Sequence, residues 1–365
     1  MVKPKREIGG TSRRRIHRTR SNKRIKPLIV EPVHSFDAEN APEPKDRFNK
    51  GLWECSSIEK VDQEHDQWCV KFTTKALRGV KRRKISLKSE IFLNALLTQI
   101  GATSHPLLIN QAICHAASTM LRERLSLLVQ ANPDMEVGLI TFIDGSGATS
   151  HSKTDIELFN SKKKVQTTLR AMSPNFFGVS ELALFNSSGH PDGGQIVQRH
   201  EHALIFGENV VQNAQVIAAK HAQRFMPNHT GARTIDVKRG SADPVNLARL
   251  AAYLFKPPYQ CKNWCPGNGE KKGHMNQSEK GDRYIRYLRL AQLRSMLSIE
   301  QVTFGGGEGQ TIRSDMIKFL RALAVRDASG NKRVLHPDAV ASFWVDLAKE
   351  LKADSWNLPI IRTCK

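Results

Sequence analysis

The chain has 365 residues, enough for one large or two modest domains with a sizeable core. Lysine and arginine number 56 against 35 aspartates and glutamates, and the formal net charge of +21 points to a polyanionic partner, nucleic acid first. No apolar run is long enough to span a bilayer, no apolar signal-peptide core opens the chain, and the six cysteines are scattered. A cytoplasmic, DNA-associated protein with reduced thiols is therefore expected rather than a membrane-spanning or disulfide-framed secreted one.

Residues 1–30 carry Arg13, Arg14, Arg15, Arg18, Arg20, Lys23, Arg24 and Lys26 with Glu7 as the one acid. Such a segment cannot bury itself, and it reads as a disordered basic arm for the DNA backbone or as a solubilising tail. Residues 31–130 read as a linker followed by a helical accessory region. Pro32, Pro42 and Pro44 mark the linker, and residues 51–87 look irregular. The cluster Lys81-Arg82-Arg83-Lys84 is a phosphate-contact candidate or a solvated turn. Apolar residues at helical spacing predict helices over 88–100 and 106–130.

Residues 131–300 read as a catalytic domain. Val137–Ile143 is a strand candidate, in which Thr141 is read as structural, and a helix is expected over 155–171. Two further strand candidates, 178–185 and 195–206, flank Asn186-Ser-Ser-Gly-His-Pro-Asp-Gly-Gly194, which is turn chemistry, so a hairpin is predicted. Side chains at i and i+2 of a strand share a face, so His200 and His202 project side by side as two imidazoles must to hold one divalent cation. The hairpin brings Glu181 within range as an oxygen ligand. Two imidazoles and a carboxylate suit Mn²⁺ and other transition ions better than Mg²⁺.

A helix over 209–225 and a short strand over 233–238 come next. Asp243 then serves as N-cap and Pro244 as first helical residue, and Pro257-Pro258 ends the segment. Leu247, Leu250, Ala251 and Leu254 form its apolar stripe, which leaves Asn246, Arg249, Tyr253 and Lys256 on another face. Tyr253 is the candidate nucleophile, although a phenol of pKa about 10 needs help from a cation such as Lys256 one turn on. Strands alternating with helices around a hairpin predict an α+β fold, a central antiparallel sheet covered by helices with helical flanking regions.

Cys261, Cys265 and His274 offer three ligands where zinc needs four, and they read as ordinary loop residues. Residues 283–294 form a basic helix whose Tyr284 and Tyr287 either pack on the protein or stack on bases. Gly305–Gly309 reads as a flexible loop without the Gly-Lys-Ser/Thr ending of a phosphate-binding loop, so no ATPase is expected. Residues 301–365 form a helical C-terminal region with helices over 311–324 and 337–351.

His-x-His in a strand followed by Tyr-x-x-Lys on a downstream helix resembles the HUH endonuclease superfamily. The order of motifs is similar to that of single-tyrosine rolling-circle replication initiators (Rep proteins). The resemblance covers roughly residues 133–290, with Val137–Ile143 matching the family's upstream strand motif and Glu181 its third metal ligand. It implies Mg²⁺ or Mn²⁺ on His200, His202 and Glu181. It implies attack by Tyr253 on single-stranded or origin DNA, with Lys256 orienting the phenolate or the phosphate. The products are a 5′-phosphotyrosine adduct and a 3′-hydroxyl, which suits replication of a plasmid or phage. The missing nucleotide-binding loop suggests that a host helicase is recruited.

Three features depart from the family pattern. The residue between the histidines is normally hydrophobic and here is Glu201, which requires a wet face, a partner, or a different register. The hairpin loop is longer than in compact viral members, and Pro257 stands where a second catalytic tyrosine would fall. A single-tyrosine transposase, a metal-dependent hydrolase without a covalent step and a non-catalytic basic DNA-binding protein remain as alternatives.

Overall fold

Two strands of 12 residues each carry the sheet. They are β4 (Phe176–Ser187) and β5 (Ile196–Gly207), paired antiparallel from Phe176↔Ile205 to Phe185↔Ile196. This is the predicted hairpin, extended at both ends. In this computed structural model the described residues run from 50 to 362, apart from 84, 152–154, 158, 189, 191–194, 230–231, 259–261, 266–273, 278–283, 330–335 and 352–359. The basic arm, most of the linker, the tip of the hairpin loop and Cys261 therefore lie outside the described residues. Residues 46–365 cluster as a single unit.

Each central strand has a divided outer edge. Beyond β5 lie β1 (Glu136–Phe142) and the short β2 (Ala148–Ser150), and β6 (Ile235–Gly240) pairs with β1. Beyond β4, its first residues pair with β9 (Thr303–Gly306) and its last with β7 (Lys262–Cys265), which β8 (His274–Gln277) borders. The β4–β7 pairing is parallel and every other ladder of this eight-stranded sheet is antiparallel. A parallel pair of β3 (Asp155–Glu157) and β10 (Ile360–Arg362) stands apart.

Helices cover both faces, which gives the expected α+β class. Val137, Leu139, Phe177, Val179, Leu204 and Phe206 face a core shared with α4 (Gln111–Ala131) and α7 (Pro244–Phe255). The opposite residues Ile140, Phe142, Phe176, Ala203 and Ile205 face α5 (Phe159–Met172) and α6 (Val210–His221). Burial on both faces explains why these strands read as nearly continuous apolar runs.

The region expected to be irregular holds a short α1 (Lys50–Glu54) and then the longest helix described, α2 (Ile58–Arg82) of 25 residues. Its buried stripe is Val61, His65, Trp68, Cys69, Phe72, Ala76 and Val80, at helical spacing and packed toward α7 and α8 (Tyr284–Ser295). Ser57 caps it by accepting from Lys60 N at 3.3 Å. A histidine and a cysteine interrupt the stripe, so a count of strong apolar residues misses it. α3 (Leu87–Thr98) follows, close to its predicted span.

α8 is an internal element. Tyr287 is fully buried against Phe72, its hydroxyl meets Lys75 Nζ at 3.2 Å, and buried Arg294 donates to the Leu108 carbonyl at 2.8 Å. Packing on the protein accounts for Tyr287, and Arg294 serves a backbone carbonyl inside the fold. After α9 (Ile299–Val302), the glycine run is ordered rather than a flexible loop: Thr303–Gly306 is β9, and α10 (Glu308–Ser329) starts directly beyond. The glycines serve close approach here. A Cβ on Gly309 would sit 1.8 Å from the Phe176 carbonyl oxygen and one on Gly306 2.3 Å from the Phe176 ring. α11 (Pro337–Glu350) lies close to its predicted span. Among the described residues, no helix is long and apolar enough to cross a membrane.

Candidate metal centre

The register of the hairpin builds the centre. Glu181 lies directly opposite His200, while His202 lies opposite Val179 on one side and Thr141 on the other. Alternation puts Glu181, His200, His202 and Thr141 on one face, just past the apolar stripe under α7. All four are in contact. Glu181 Oε2 lies 3.0 Å from His200 Nε2 and 2.9 Å from His202 Nε2, and the two rings meet edge to face at 4.7 Å between centroids. Thr141 Oγ1 sits 3.0 Å from His202 Nδ1. The sequence reading left Thr141 as structural, yet its hydroxyl accepts from Nδ1–H in the tautomer that turns the Nε2 lone pair toward a cation.

Glu181, His200 and His202 are all buried, and one ligand atom from each lies within 4.8 Å of the other two. Two imidazoles and a carboxylate on rigid strands fit a divalent ion and leave coordination positions open. The group can hold a metal ion.

The lysine arrives by a route the sequence reading did not foresee. α7 ends at Phe255, and Lys256 is its C-cap with φ −59° and ψ 140°, not a further helical residue. Pro257 dictates this, since its ring pushes the preceding residue out of the helical region. The bend returns the ammonium over the helix end. Lys256 Nζ lies 3.0 Å from Glu181 Oε2, 3.2 Å from the Tyr253 carbonyl oxygen and 3.4 Å from the centroid of the Tyr253 ring. The Tyr253 ring meets His202 edge to face at 4.9 Å and tilts toward Trp53 at 6.1 Å. Trp53 comes from α1, and nothing in its sequence surroundings marked it. The structure thus brings all five residues singled out for chemistry (Glu181, His200, His202, Tyr253 and Lys256) together on one sheet face.

Glu201 points to the opposite face, and of the three alternatives left open by the sequence the partner is the one found. Glu201 Oε1 accepts from Arg199 Nε at 2.9 Å and from Ser161 Oγ on α5 at 2.7 Å. Glu201 and Arg199 are both buried.

Burial alone would raise the Glu181 carboxyl, but Lys256 and the two histidines outweigh it and hold the group well below the ordinary carboxylate value. Burial pulls His202 down to about 3, with Lys256 adding to the effect and the bond to Glu181 opposing it. Acid therefore destabilises the metal-free protein. The unfolded chain binds the His202 proton below its ordinary 6.5, while the fold resists until about 3. It binds the Glu181 proton below 4.5, while the fold resists to a lower pH. Stability measured in a chelator should fall as pH drops from about 7 toward 4, and His202→Asn should flatten the fall between 6.5 and 4.5. An equal slope in the variant would show that this histidine does not titrate in that way.

No protein-family profile matches the chain, and no curated protein and no solved structure matches it either.

Proposed function

We propose that the chain nicks and rejoins single-stranded DNA through a covalent bond to Tyr253, in the manner of a single-tyrosine HUH replication initiator of a plasmid or phage. One observation carries this reading: the buried Glu181–His200–His202 group, the Tyr253 ring and the Lys256 ammonium meet at one point, from a hairpin and a helix about fifty residues downstream. A purely structural histidine pair has no need of a tyrosine edge and an ammonium at the same place. The charge of +21 supplies the attraction for a polyanion.

His200, His202 and Glu181 would hold Mg²⁺ or Mn²⁺, which supplies Lewis-acid polarisation of the scissile phosphate. Tyr253 loses its phenolic proton to solvent and its oxygen bonds to phosphorus. The bond from phosphorus to the 3′ oxygen breaks, and that oxygen leaves as a hydroxyl after taking up a proton. Lys256, against the Tyr253 ring, favours the phenolate and neutralises charge on the phosphate. Thr141 orients His202. Phosphodiester energy is conserved in the adduct, so the reverse attack by a 3′-hydroxyl reseals the strand without ATP. Unwinding falls to a partner, a host helicase.

The test is a denaturing gel. Protein, Mn²⁺ and a 3′-labelled single-stranded DNA pool that includes the native element's own DNA are mixed, then boiled in SDS. Label that migrates with the protein, and that disappears for His200→Ala/His202→Ala, is the expected result. Cleavage without protein-bound label would favour hydrolysis by water. Binding without either would leave a DNA-binding protein with no strand transfer.

A further inference from the structure

A second cluster of ligating side chains lies away from the Glu181 centre, where α2 crosses α4. His65 and Asp66 are neighbours on α2, and His115 faces them from α4. One ligand atom from each lies within 4.8 Å of the other two. His115 Nδ1 is 3.2 Å from Asp66 Oδ1, and the two imidazole rings lie 5.8 Å apart at an interplanar angle of 36°.

Two nitrogens of this cluster are not satisfied by the protein. His65 is 1% exposed and its Nε2 makes no hydrogen bond. His115 Nδ1 is also buried, and its 3.2 Å approach to Asp66 lacks hydrogen-bond geometry. Buried polar atoms almost always have a partner, and two bare imidazole nitrogens beside one carboxylate form a group that a cation satisfies at a stroke. The frame is stiff. Arg122 Nη1 of α4 lies 2.9 and 3.0 Å from the two carboxylate oxygens of Asp62 of α2, so the same two helices are tied one turn away. Asp66 is exposed, which gives an ion a path in from solvent.

We propose that His65, Asp66 and His115 bind a divalent transition ion of the Zn²⁺ type that staples α2 to α4. Two imidazoles and one carboxylate in tetrahedral reach, with water as a fourth ligand on the exposed side, form the donor set. The staple also reaches the Tyr253 helix, because the His65 ring lies beside the backbone of Phe255, the last residue of α7. An ion on His65 therefore fixes the point from which Lys256 turns back. This site is separate from the Glu181 centre and does not rest on the nuclease reading.

The experiment counts metal on the full chain. Protein stripped with a chelator is equilibrated with Zn²⁺, desalted and assayed for zinc, and Co²⁺ absorption gives the coordination in parallel. The expected result is about two ions per chain for the parent and about one for His115→Ala and for Asp66→Asn, with at least about tenfold weaker binding at the altered site. His200→Ala/His202→Ala should keep about one ion, and Zn²⁺ should still raise its melting temperature. Zinc retained by His115→Ala and Asp66→Asn at the parent level overturns the proposal, as does a parent that binds a single ion lost only in the His200/His202 variant. His115 is only half-buried, so its variant should fold even if the buried double variant does not. Failure of the Glu181 centre alone would look different: His200→Ala/His202→Ala would then hold as much zinc as the parent.

Discussion

On the proposed nicking mechanism, replacing Tyr253 by phenylalanine should remove the covalent DNA adduct, by a factor of at least about a thousand, while DNA affinity and metal binding stay at the parent level. The substitution deletes one oxygen and keeps the ring. The ring contacts seen for Tyr253 are with His202 at 4.9 Å, Trp53 at 6.1 Å and Lys256 Nζ at 3.4 Å from the centroid, and phenylalanine can make each of them. Stability should therefore move by less than about 1 kcal/mol. This separates the nucleophile from the scaffold, which the double histidine variant cannot do. Adduct that persists in Tyr253→Phe assigns the attack to another group. Tyr287 is a poor substitute because it is fully buried in the core. Strand cleavage that persists while the adduct vanishes assigns the attack to water.

Replacing Glu201 by alanine should cost about 3–5 kcal/mol, a large part of the total stability of an ordinary domain. The carboxylate and the Arg199 guanidinium are both buried, and their 2.9 Å contact lies on the α5 side of the sheet. Alanine would leave a guanidinium charge desolvated without that carboxylate, and the Ser161 hydroxyl would lose its acceptor. Glutamine keeps an acceptor but not the charge and should fall between the two. Arg199→Met with Glu201→Leu removes both charges at once and should be far milder than Glu201→Ala, since a desolvated pair gains little over apolar packing. Denaturant midpoints of the three variants check this. A cost below about 1 kcal/mol for alanine would mean that water or another acceptor takes the place of the carboxylate at once.

The parts of the site legible in the sequence were those set by short-range rules. Alternation placed His200 and His202 on one face, and the Asp243-Pro244 start and Pro257-Pro258 stop framed α7 within a residue of its observed ends. The hairpin followed from its turn residues, and Glu181 from the hairpin together with the resemblance to the HUH pattern. What escaped depended on partners far away in sequence. The stripe of α2 includes His65 and Cys69, whose burial is decided by α4, α7 and α8. Thr141 looked like any strand threonine until β1 was laid beside β5 in register. The glycines of 305–309 signalled freedom, whereas the Phe176 ring presses on Gly306 and the Phe176 backbone on Gly309. Glu201 looked like a defect because its partner Arg199 stands two residues away on the same face, and a search for alternating apolar residues treats both as noise. Lys256 was placed on the helix by counting, although the proline after it had already excluded that conformation.

The divided outer edge of β4 sets the order in which this protein can be finished. Glu181 and both histidines leave the ribosome within a few tens of residues of one another, and Tyr253 follows soon after. The strand that borders Phe176 to Val179 is made of Thr303 to Gly306, well over a hundred residues later. Until then β4 carries a bare row of backbone donors and acceptors next to Glu181, a template for pairing with another nascent chain. Closing so distant a pair is slow, because the loop must be collapsed before the ladder returns any free energy. Completion of the sheet beside the centre therefore has to wait for Thr303–Gly306, and until then this edge of β4 is where a nascent chain can mispair.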